Sequence, residues 1–275
     1  MMCNDRKIEV MGIVNLTDDS YFAESRCQNT DKALKRVGKM IEQGADIIDI
    51  GACSTRPGAL PVSEEEQWRR LEPVLKEVYS AFPSAVISID TTFSSIVSKA
   101  YDIIGHFIVN DITAGEDDPG MLDVTGKLGL GYVAMHMRGN PQTMQDMTSY
   151  EDVVNDVRAY FEAFSRRAAA AGIKEWILDP GFGFAKTVEQ NYELLSGLAS
   201  LKTDYGGYSP RLLVGISRKS MIHRLLDITP EEALPATQAV HMAALIGGAD
   251  ILRVHDVTEA VQTIKLYNHL HLRPF

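Results

Sequence analysis

The stretch GADIIDIG at residues 44–51 carries the clearest indication of the fold. A glycine suited to the position just after a helix is followed by a short apolar run, which ends in another glycine. The same junction returns near the other end of the chain as GADILRVH at residues 248–255. A junction that recurs in this way indicates helices alternating with buried parallel strands along the chain.

Eight short apolar runs can be counted, and amphipathic stretches separate them. The runs end at Asn15, Gly51, Asp90, Asp111, His136, Asp179, Ser217 and His255. Helical spacing of apolar residues predicts helices over 30–43, 64–82, 150–171, 188–200 and 231–246. Eight βα units in about 250 residues predict a single (β/α)8 TIM barrel domain over residues 1–275, with a parallel eight-stranded sheet. An open doubly wound sheet is the alternative, and the lack of a glycine-rich phosphate loop after any run counts against it.

Composition and charge exclude several classes of protein. The 275 residues are 45% hydrophobic and 23% charged, which is ordinary for a globular chain. Lys and Arg number 27 against 37 Asp and Glu, and the net charge of −10 argues against nucleic acid or an anionic membrane as partner. No run reaches the ~18 apolar residues of a membrane span, and the three cysteines fit no metal-ligand spacing. We therefore expect a soluble, cytoplasmic protein.

The candidate site lies where the runs end, because active sites of such barrels lie at the carboxyl ends of the strands. Asp90, Asn110 and Asp179 offer hydrogen-bond acceptors that suit a flat heterocycle. A second group supplies cations and hydroxyl donors that suit a phosphate or diphosphate: Thr55, Arg56, Arg218, Lys219, Arg253 and His255. Asn15 is a neutral oxygen ligand, which suits a Mg²⁺ held mainly by phosphates and water. Any one of these residues can simply mark the end of a strand, but eight converging ends favour an enzyme acting on a phosphorylated heterocycle.

Other features favour packing or capping over chemistry. Ser63, followed by three glutamates, predicts the start of a helix. His241 is expected to be a structural histidine, and Cys53 lacks a histidine neighbour that could activate it. A group of methionines is expected to serve packing: Met135, Met137, Met144 and Met147.

Eight segments, in order along the chain, resemble those of the dihydropteroate synthases. They are MGIVNLTDDSYF (11–22), STRPGA (54–59), SIDTT (88–92), VNDI (109–112), MHMRGNPQTMQ (135–145), LDPGFGFAK (178–186), GISRKS (215–220) and RVHDV (253–257). The resemblance implies a pterin-binding transferase of folate synthesis. Such an enzyme joins 6-hydroxymethyl-7,8-dihydropterin diphosphate to p-aminobenzoate and releases diphosphate. It also implies a Mg²⁺ requirement, a homodimer and sensitivity to sulfonamides.

The same resemblance implies a role for each matching residue. The pterin ring would be bound by Asp90, Asn110, Asp179 and Lys219. The diphosphate would be bound by Asn15, Thr55, Arg253 and His255, and Asn15 would also meet the Mg²⁺. The p-aminobenzoate would be framed by Thr55, Arg56, Pro57, Phe184, Lys219 and Ser220. The catalytic group would comprise Asp90, Asp179, Lys219, Arg253 and His255.

The first loop departs from the family pattern, and it leaves some questions open. Residues 15–26 read NLTDDSYFAESR, with Asp18 where proline is common. Asp18, Asp19 or Glu24 could replace the acid that the family usually carries there. This loop and residues 54–62 are expected to act as lids that order around substrate. Two alternatives to a synthase are a methyltetrahydrofolate–corrinoid methyltransferase and a catalytically silent pterin-binding subunit.

Overall fold

A closed barrel of parallel strands organises the chain. The computed structural model describes residues 7–16, 30–53 and 59–271. The strands are β1 (Glu9–Asn15), β2 (Ile47–Gly51), β3 (Val86–Asp90), β4 (Ile108–Asp111), β5 (Gly131–Met135), β6 (Trp176–Asp179), β7 (Arg211–Val214) and β8 (Ile251–Val254). They pair in sequence order, and β8 closes the barrel against β1, with Ile251 beside Glu9. The predicted barrel is confirmed, and the open sheet is excluded.

Helices follow every strand and surround the barrel. They are α1 (Thr30–Gln43), α2 (Glu64–Ala81), α3 (Ser94–Ile104), α4 (Met121–Leu128), α5 (Val153–Ala170), α6 (Val188–Ser196), α7 (Ser220–Leu226), α8 (Leu234–Ile246) and α9 (Val257–His271). Both α7 and α8 lie between β7 and β8. None of the helices in the described part of the chain is long and apolar enough to cross a membrane.

Helix starts follow local capping chemistry more closely than apolar spacing. Ser63 Oγ accepts a hydrogen bond from the Glu66 N–H at the start of α2, as the sequence predicts. The helix predicted from residue 150 begins at Val153, because the Asp152 side chain caps it. The helix predicted from residue 231 begins at Leu234, with proline in its first turn.

The barrel interior changes from apolar to polar toward the carboxyl ends of the strands. An apolar cluster fills the lumen and is formed by Met11, Ile47, Val133, Ile177, Leu213 and Ile251. Alternate residues of a strand face the same side, so the lumen side of β2 runs from Ile47 through Asp49 to Gly51. Gly51 pairs with Asn15 on one side and with Asp90 on the other. A Cβ on Gly51 would lie 3.1 Å from Asp90 Cβ, so glycine leaves room here for the site.

Candidate active site

Three acceptor side chains predicted for the site lie buried at one end of the barrel. Asp90 ends β3 and pairs with Asn110 on β4, while Asp179 ends β6. All three side chains belong to residues that are less than a tenth exposed. Buried carboxylates and an amide at one end of a barrel can bind several N–H groups of one flat ligand.

Asp49 joins these strands, and we did not predict it from the sequence. Its carboxylate lies in the middle of β2 and accepts from Ser88 Oγ at 2.7 Å and from Asn110 Nδ2 at 3.0 Å. Arg253 Nε, on β8, donates to Asp49 Oδ2 at 2.7 Å. The available signal was a lone charge inside an apolar run, two residues before Gly51 and therefore on the lumen side.

Arg253 bridges two carboxylates. Besides its bond to Asp49, its Nη2 lies 3.0 Å from Asp90 Oδ2. Burial raises the pKa of Asp90 to about 7, and Asp49, Asp111 and Asp179 add to the increase while Arg253 opposes it. A positively charged ligand beside Asp90 would therefore favour its ionised form.

Asp179 and Lys219 form a second charged group on the opposite side of the lumen. Asp179 Oδ1 accepts from the Gly181 N–H at 2.8 Å. Burial raises the pKa of Asp179, and Lys219 opposes that increase most strongly. Burial also lowers the pKa of Lys219 to about 8. The Lys219 ammonium donates to the Phe182 carbonyl and lies 4.5 Å from the centre of the Phe184 ring.

Asn15, His255 and Ser220 are further predicted residues in the described part of the chain. Asn15 ends β1 beside Gly51, and Ser220 begins α7 directly after Lys219. The His255 N–H donates to Ser217 Oγ at 3.3 Å, just beyond β8. Burial, reinforced by Arg253, lowers the pKa of His255 to about 3, so its imidazole is neutral at pH 7.

Apolar side chains line the site beside the polar ones. Ile112, Met135, Met137, Met144, Phe184 and Ala185 form one buried cluster. Three of the methionines predicted to serve packing therefore pack next to the predicted p-aminobenzoate residue Phe184. A cavity of about 440 Å³ adjoins Asp90 and Ile112, so the barrel mouth has room for a small ligand.

Some predicted residues lie elsewhere or outside the described residues. Arg218, expected among the phosphate-binding cations, pairs instead with Asp256, at 2.8 Å from Nε to Oδ2. It also donates to the carbonyls of Pro230 and Glu231, which precede α8, and its backbone has a positive φ of 55°. Thr55, Arg56 and Pro57 lie outside the described residues, as do Asp18, Asp19 and Glu24.

Comparison with a family model gives the class of protein. The model described as "Pterin binding enzyme" matches residues 11–255, from β1 to the residue after β8. The match includes the eight strands apart from the first two residues of β1, and it includes the polar residues at their carboxyl ends. The chain therefore belongs to the pterin-binding enzyme family.

Relatives within the family are named dihydropteroate synthases. The synthase of Escherichia coli K12 is 41% identical to this chain, and the alignment covers 94% of this chain and 89% of that relative. The synthase of Haemophilus influenzae is 40% identical, and the alignment covers 96% of this chain and 95% of that relative. The solved Burkholderia cenocepacia dihydropteroate synthase, complexed with 7,8-dihydropteroate, superposes with a TM-score of 0.86 at 36% identity. The superposition covers 98% of this chain and 93% of that one.

The synthase of Yersinia pestis, solved as a sulfonamide drug complex, is also similar. It superposes with a TM-score of 0.90 at 37% identity, covering 97% of this chain and 95% of that one. The function of the chain is that of a dihydropteroate synthase, which is a transferase. These relatives favour the synthase over the corrinoid methyltransferase.

Proposed function

We propose that the chain, acting in the cytoplasm, condenses 6-hydroxymethyl-7,8-dihydropterin diphosphate with p-aminobenzoate to give 7,8-dihydropteroate and diphosphate. The observation that carries this proposal is the buried set of Asp90, Asn110 and Asp179 at one end of the barrel. These side chains can accept hydrogen bonds from the N–H and amino groups of a pterin. Lys219, close to Asp179, can donate to a pterin acceptor.

The reaction proposed for this site passes through a pterin cation. The bond between the pterin methylene and the diphosphate oxygen breaks, and its electron pair leaves with the diphosphate. The electron-rich dihydropterin stabilises the cation that remains, and the carboxylates of Asp90 and Asp179 favour that charge. The aniline nitrogen then forms the new C–N bond and releases its proton to water. No protein nucleophile takes part, so the raised pKa of Cys53, caused by its burial, does not impede this step.

The diphosphate would be bound by Asn15, Arg253 and His255, together with Thr55. Arg253 supplies charge, and the neutral His255 supplies a hydrogen bond. When the diphosphate leaves, it takes up negative charge, and this charge must be neutralised.

A Mg²⁺ ion is part of this proposal. Among the described residues, no group of three or more His, Cys, Asp and Glu side chains could hold a metal. The Asn15 amide is a single neutral ligand at the lumen edge, 3.6 Å from where a Cβ on Gly51 would lie. One protein oxygen suits Mg²⁺ that takes its other ligands from phosphates and water. When bound, the ion would neutralise charge on the leaving diphosphate.

The p-aminobenzoate would lie against Phe184 and Lys219, with Ser220 and the Thr55–Pro57 segment around it. Its anionic carboxylate suits the N-terminal end of α7 near Ser220, where backbone N–H groups favour an anion, and its ring suits the apolar cluster. A sulfonamide carries the same aniline ring, so we expect it to compete for this position.

We also propose that the enzyme is a homodimer that associates through α7, α8 and α9. These helices expose large apolar side chains: Leu225, Leu226, Ile246, Leu266 and Leu270. Of these helices, α8 and α9 pack against each other. Large exposed apolar side chains are a common mark of an interface, and a twofold axis would bury the same surface on both copies.

The deciding experiment is a turnover assay on the purified protein. Dihydropterin diphosphate, p-aminobenzoate and Mg²⁺ are mixed with it, and the formation of dihydropteroate and diphosphate is measured. Turnover that stops when Mg²⁺ is chelated supports the proposal. Pterin binding without turnover would instead support the catalytically silent subunit.

Replacement of Asp179 with Ala tests the pterin-binding role. We expect pterin affinity to fall at least about 100-fold, because the pterin loses a charged hydrogen-bond acceptor. Calorimetric titration with the dihydropterin diphosphate measures the change. Asp102→Ala, on the exposed face of α3, is the matched control and should bind normally. An Asp179→Ala protein that keeps wild-type affinity would refute the assignment.

A further inference from the structure

The segment between β6 and α6 winds tightly around one buried lysine. Three of its residues alternate in left-handed backbone conformations: Gly181, Gly183 and Ala185 have φ values of 70°, 81° and 50°. This path turns the carbonyls of Gly181 and Phe184 toward the Lys186 ammonium, at 2.9 Å and 3.0 Å from Nζ. Lys186 is only 3% exposed, and its third partner is His136 Nδ1, at 3.0 Å.

His136 supplies an acceptor because its imidazole is neutral. Burial lowers its pKa well below the usual range, and Lys186 and Arg138 add to the decrease. Its backbone N–H donates to the Asp179 carbonyl at 3.0 Å, which ties the end of β5 to the end of β6. All three N–H groups of Lys186 therefore have protein acceptors.

The outer side of the same segment carries the groups proposed to bind substrate. Asp179 precedes it and accepts from the Gly181 N–H. The Phe182 carbonyl accepts from Lys219, and the Phe184 ring lies beneath the same ammonium. Any shift of this segment would therefore move Asp179, Lys219 and Phe184 relative to one another.

We propose that Lys186 is a positioning residue for the reaction. By binding the Gly181 and Phe184 carbonyls from inside, its ammonium holds Asp179 for the pterin and Phe184 for the p-aminobenzoate, and it touches neither substrate. This inference deepens the proposed function and rests on it. No step of the reaction itself involves Lys186.

The charge of Lys186 also acts on Asp179. Lys219, Arg253 and Lys186 face Asp179 and oppose the increase in its pKa, and the carboxyl group of Asp90 faces it from β3. The charged groups that face Lys186 in turn are Asp179, Lys219 and Arg138, and burial lowers the pKa of Lys186 to about 7. Below pH 7 Lys186 is therefore largely charged, so its removal should raise the pKa of Asp179.

The test compares Lys186→Met, Lys186→Arg and the wild-type protein. Lys174→Met is the matched control, because Lys174 is exposed just before the opposite end of β6. Binding of the dihydropterin diphosphate is measured by calorimetry from pH 4 to pH 8, and KM is measured for both substrates. For Lys186→Met we expect at least a tenfold loss of pterin affinity and a higher KM for p-aminobenzoate. The acid midpoint of pterin binding should rise by roughly half a pH unit or more.

A merely structural role would weaken binding without moving that midpoint, and this result would overturn the proposal. Unchanged affinity would overturn it as well.

If Lys186→Met does not fold, the measurements on Lys186→Arg test the proposal. Arginine keeps the positive charge but not the three hydrogen bonds that the lysine ammonium makes. The acid midpoint of pterin binding should therefore match that of the wild type, while KM for both substrates rises several-fold. Unchanged KM values in Lys186→Arg would contradict the proposal. Absence of turnover in the wild-type protein would count against the proposed function, not against Lys186.

Discussion

Asp49 shows how one side chain can organise an entire site. Its two oxygens accept hydrogen bonds from Ser88, Asn110 and Arg253, which belong to three other strands. Its side chain is fully buried, and that of Arg253 is 18% exposed. A buried charge pair adds little net stability, but removal of Asp49 would leave Arg253 with Asp90 as its one remaining carboxylate partner among the described residues and would take the acceptor from buried Ser88 and Asn110.

We therefore expect Asp49→Ala to lower the free energy of unfolding by about 3 kcal/mol. Urea denaturation followed by circular dichroism measures this change. Asp102→Ala, at an exposed position of α3, should change it by less than ~0.5 kcal/mol. Equal stability of the two variants would show that Asp49 does not hold Arg253 in the way described.

The segment between β6 and α6 depends on glycine for two separate reasons. Gly181 has a positive φ of 70°, and a Cβ built there would lie 1.9 Å from the His136 carbonyl oxygen. Gly172, after α5, has a similar φ of 76°, but a Cβ there would meet no atom within 4 Å. A comparison of Gly181 with Gly172 therefore distinguishes the cost of backbone strain, which both positions share, from the cost of steric overlap, which arises at Gly181.

Gly172→Ala should cost about 1 kcal/mol of unfolding free energy, because alanine disfavours the left-handed conformation. Gly181→Ala should cost at least about 3 kcal/mol and abolish pterin binding, because β5 and β6 must move apart. Thermal unfolding of both variants, with pterin titration, tests this. Similar costs at the two positions would contradict the overlap with His136.

Helix ends show where apolar spacing is a poor guide. The start of α2 was predicted correctly because Ser63 and the glutamates form a local cap. The predicted start at residue 150 was three residues early, because Asp152 caps α5 instead. Apolar spacing reports which face of a helix is buried, whereas a polar side chain decides where the first turn begins.

Acid stability should depend on a histidine far from the site. His241 is buried in α8, and burial lowers its pKa from 6.5 to about 4. Between about pH 6.5 and pH 4, the His241 imidazole is protonated in the unfolded chain but not in the folded chain. Folding stability therefore falls as the pH falls through this interval. At ~1.4 kcal/mol per pKa unit, the loss from this residue is about 3 kcal/mol.

His241→Asn should therefore lose about 3 kcal/mol less stability than the wild type over that pH interval. Urea denaturation at a series of pH values provides the comparison. His106→Asn, at an exposed position, should follow the wild-type curve. A His241→Asn curve parallel to that of the wild type would refute the assignment of this acid sensitivity to His241.

The proposed dimer yields a prediction for the assembled protein. Ile246 ends α8 and is 66% exposed, so Ile246→Asp should place a charge in the apolar contact and shift the protein to monomers. Sedimentation velocity measures the shift. Tyr79→Asp, at an exposed apolar position of α2, is the control and should leave the dimer intact. A wild-type protein that sediments as a monomer would contradict the proposal itself.

The repeating pattern of apolar runs and amphipathic stretches is sufficient to predict the barrel, for a physical reason. Parallel strands buried on both faces read as short apolar runs, and their crossovers must be amphipathic helices. The ends of those runs likewise identified Asp90, Asn110 and Asp179, because the carboxyl ends of all strands meet at one edge of the barrel.

Contacts between distant strands could not be predicted in the same way. Asp49 and Arg253 lie 204 residues apart and meet because β8 closes the barrel on β1, which pairs with β2 on its other side. Arg218 follows β7 as a site residue would, yet its backbone is left-handed and its side chain pairs with Asp256. Lys186 lies in a recognisable motif, but its burial depends on how the segment after β6 folds back over it. Local spacing encodes which strands and helices form, whereas the partner of a buried charge depends on barrel closure and backbone direction.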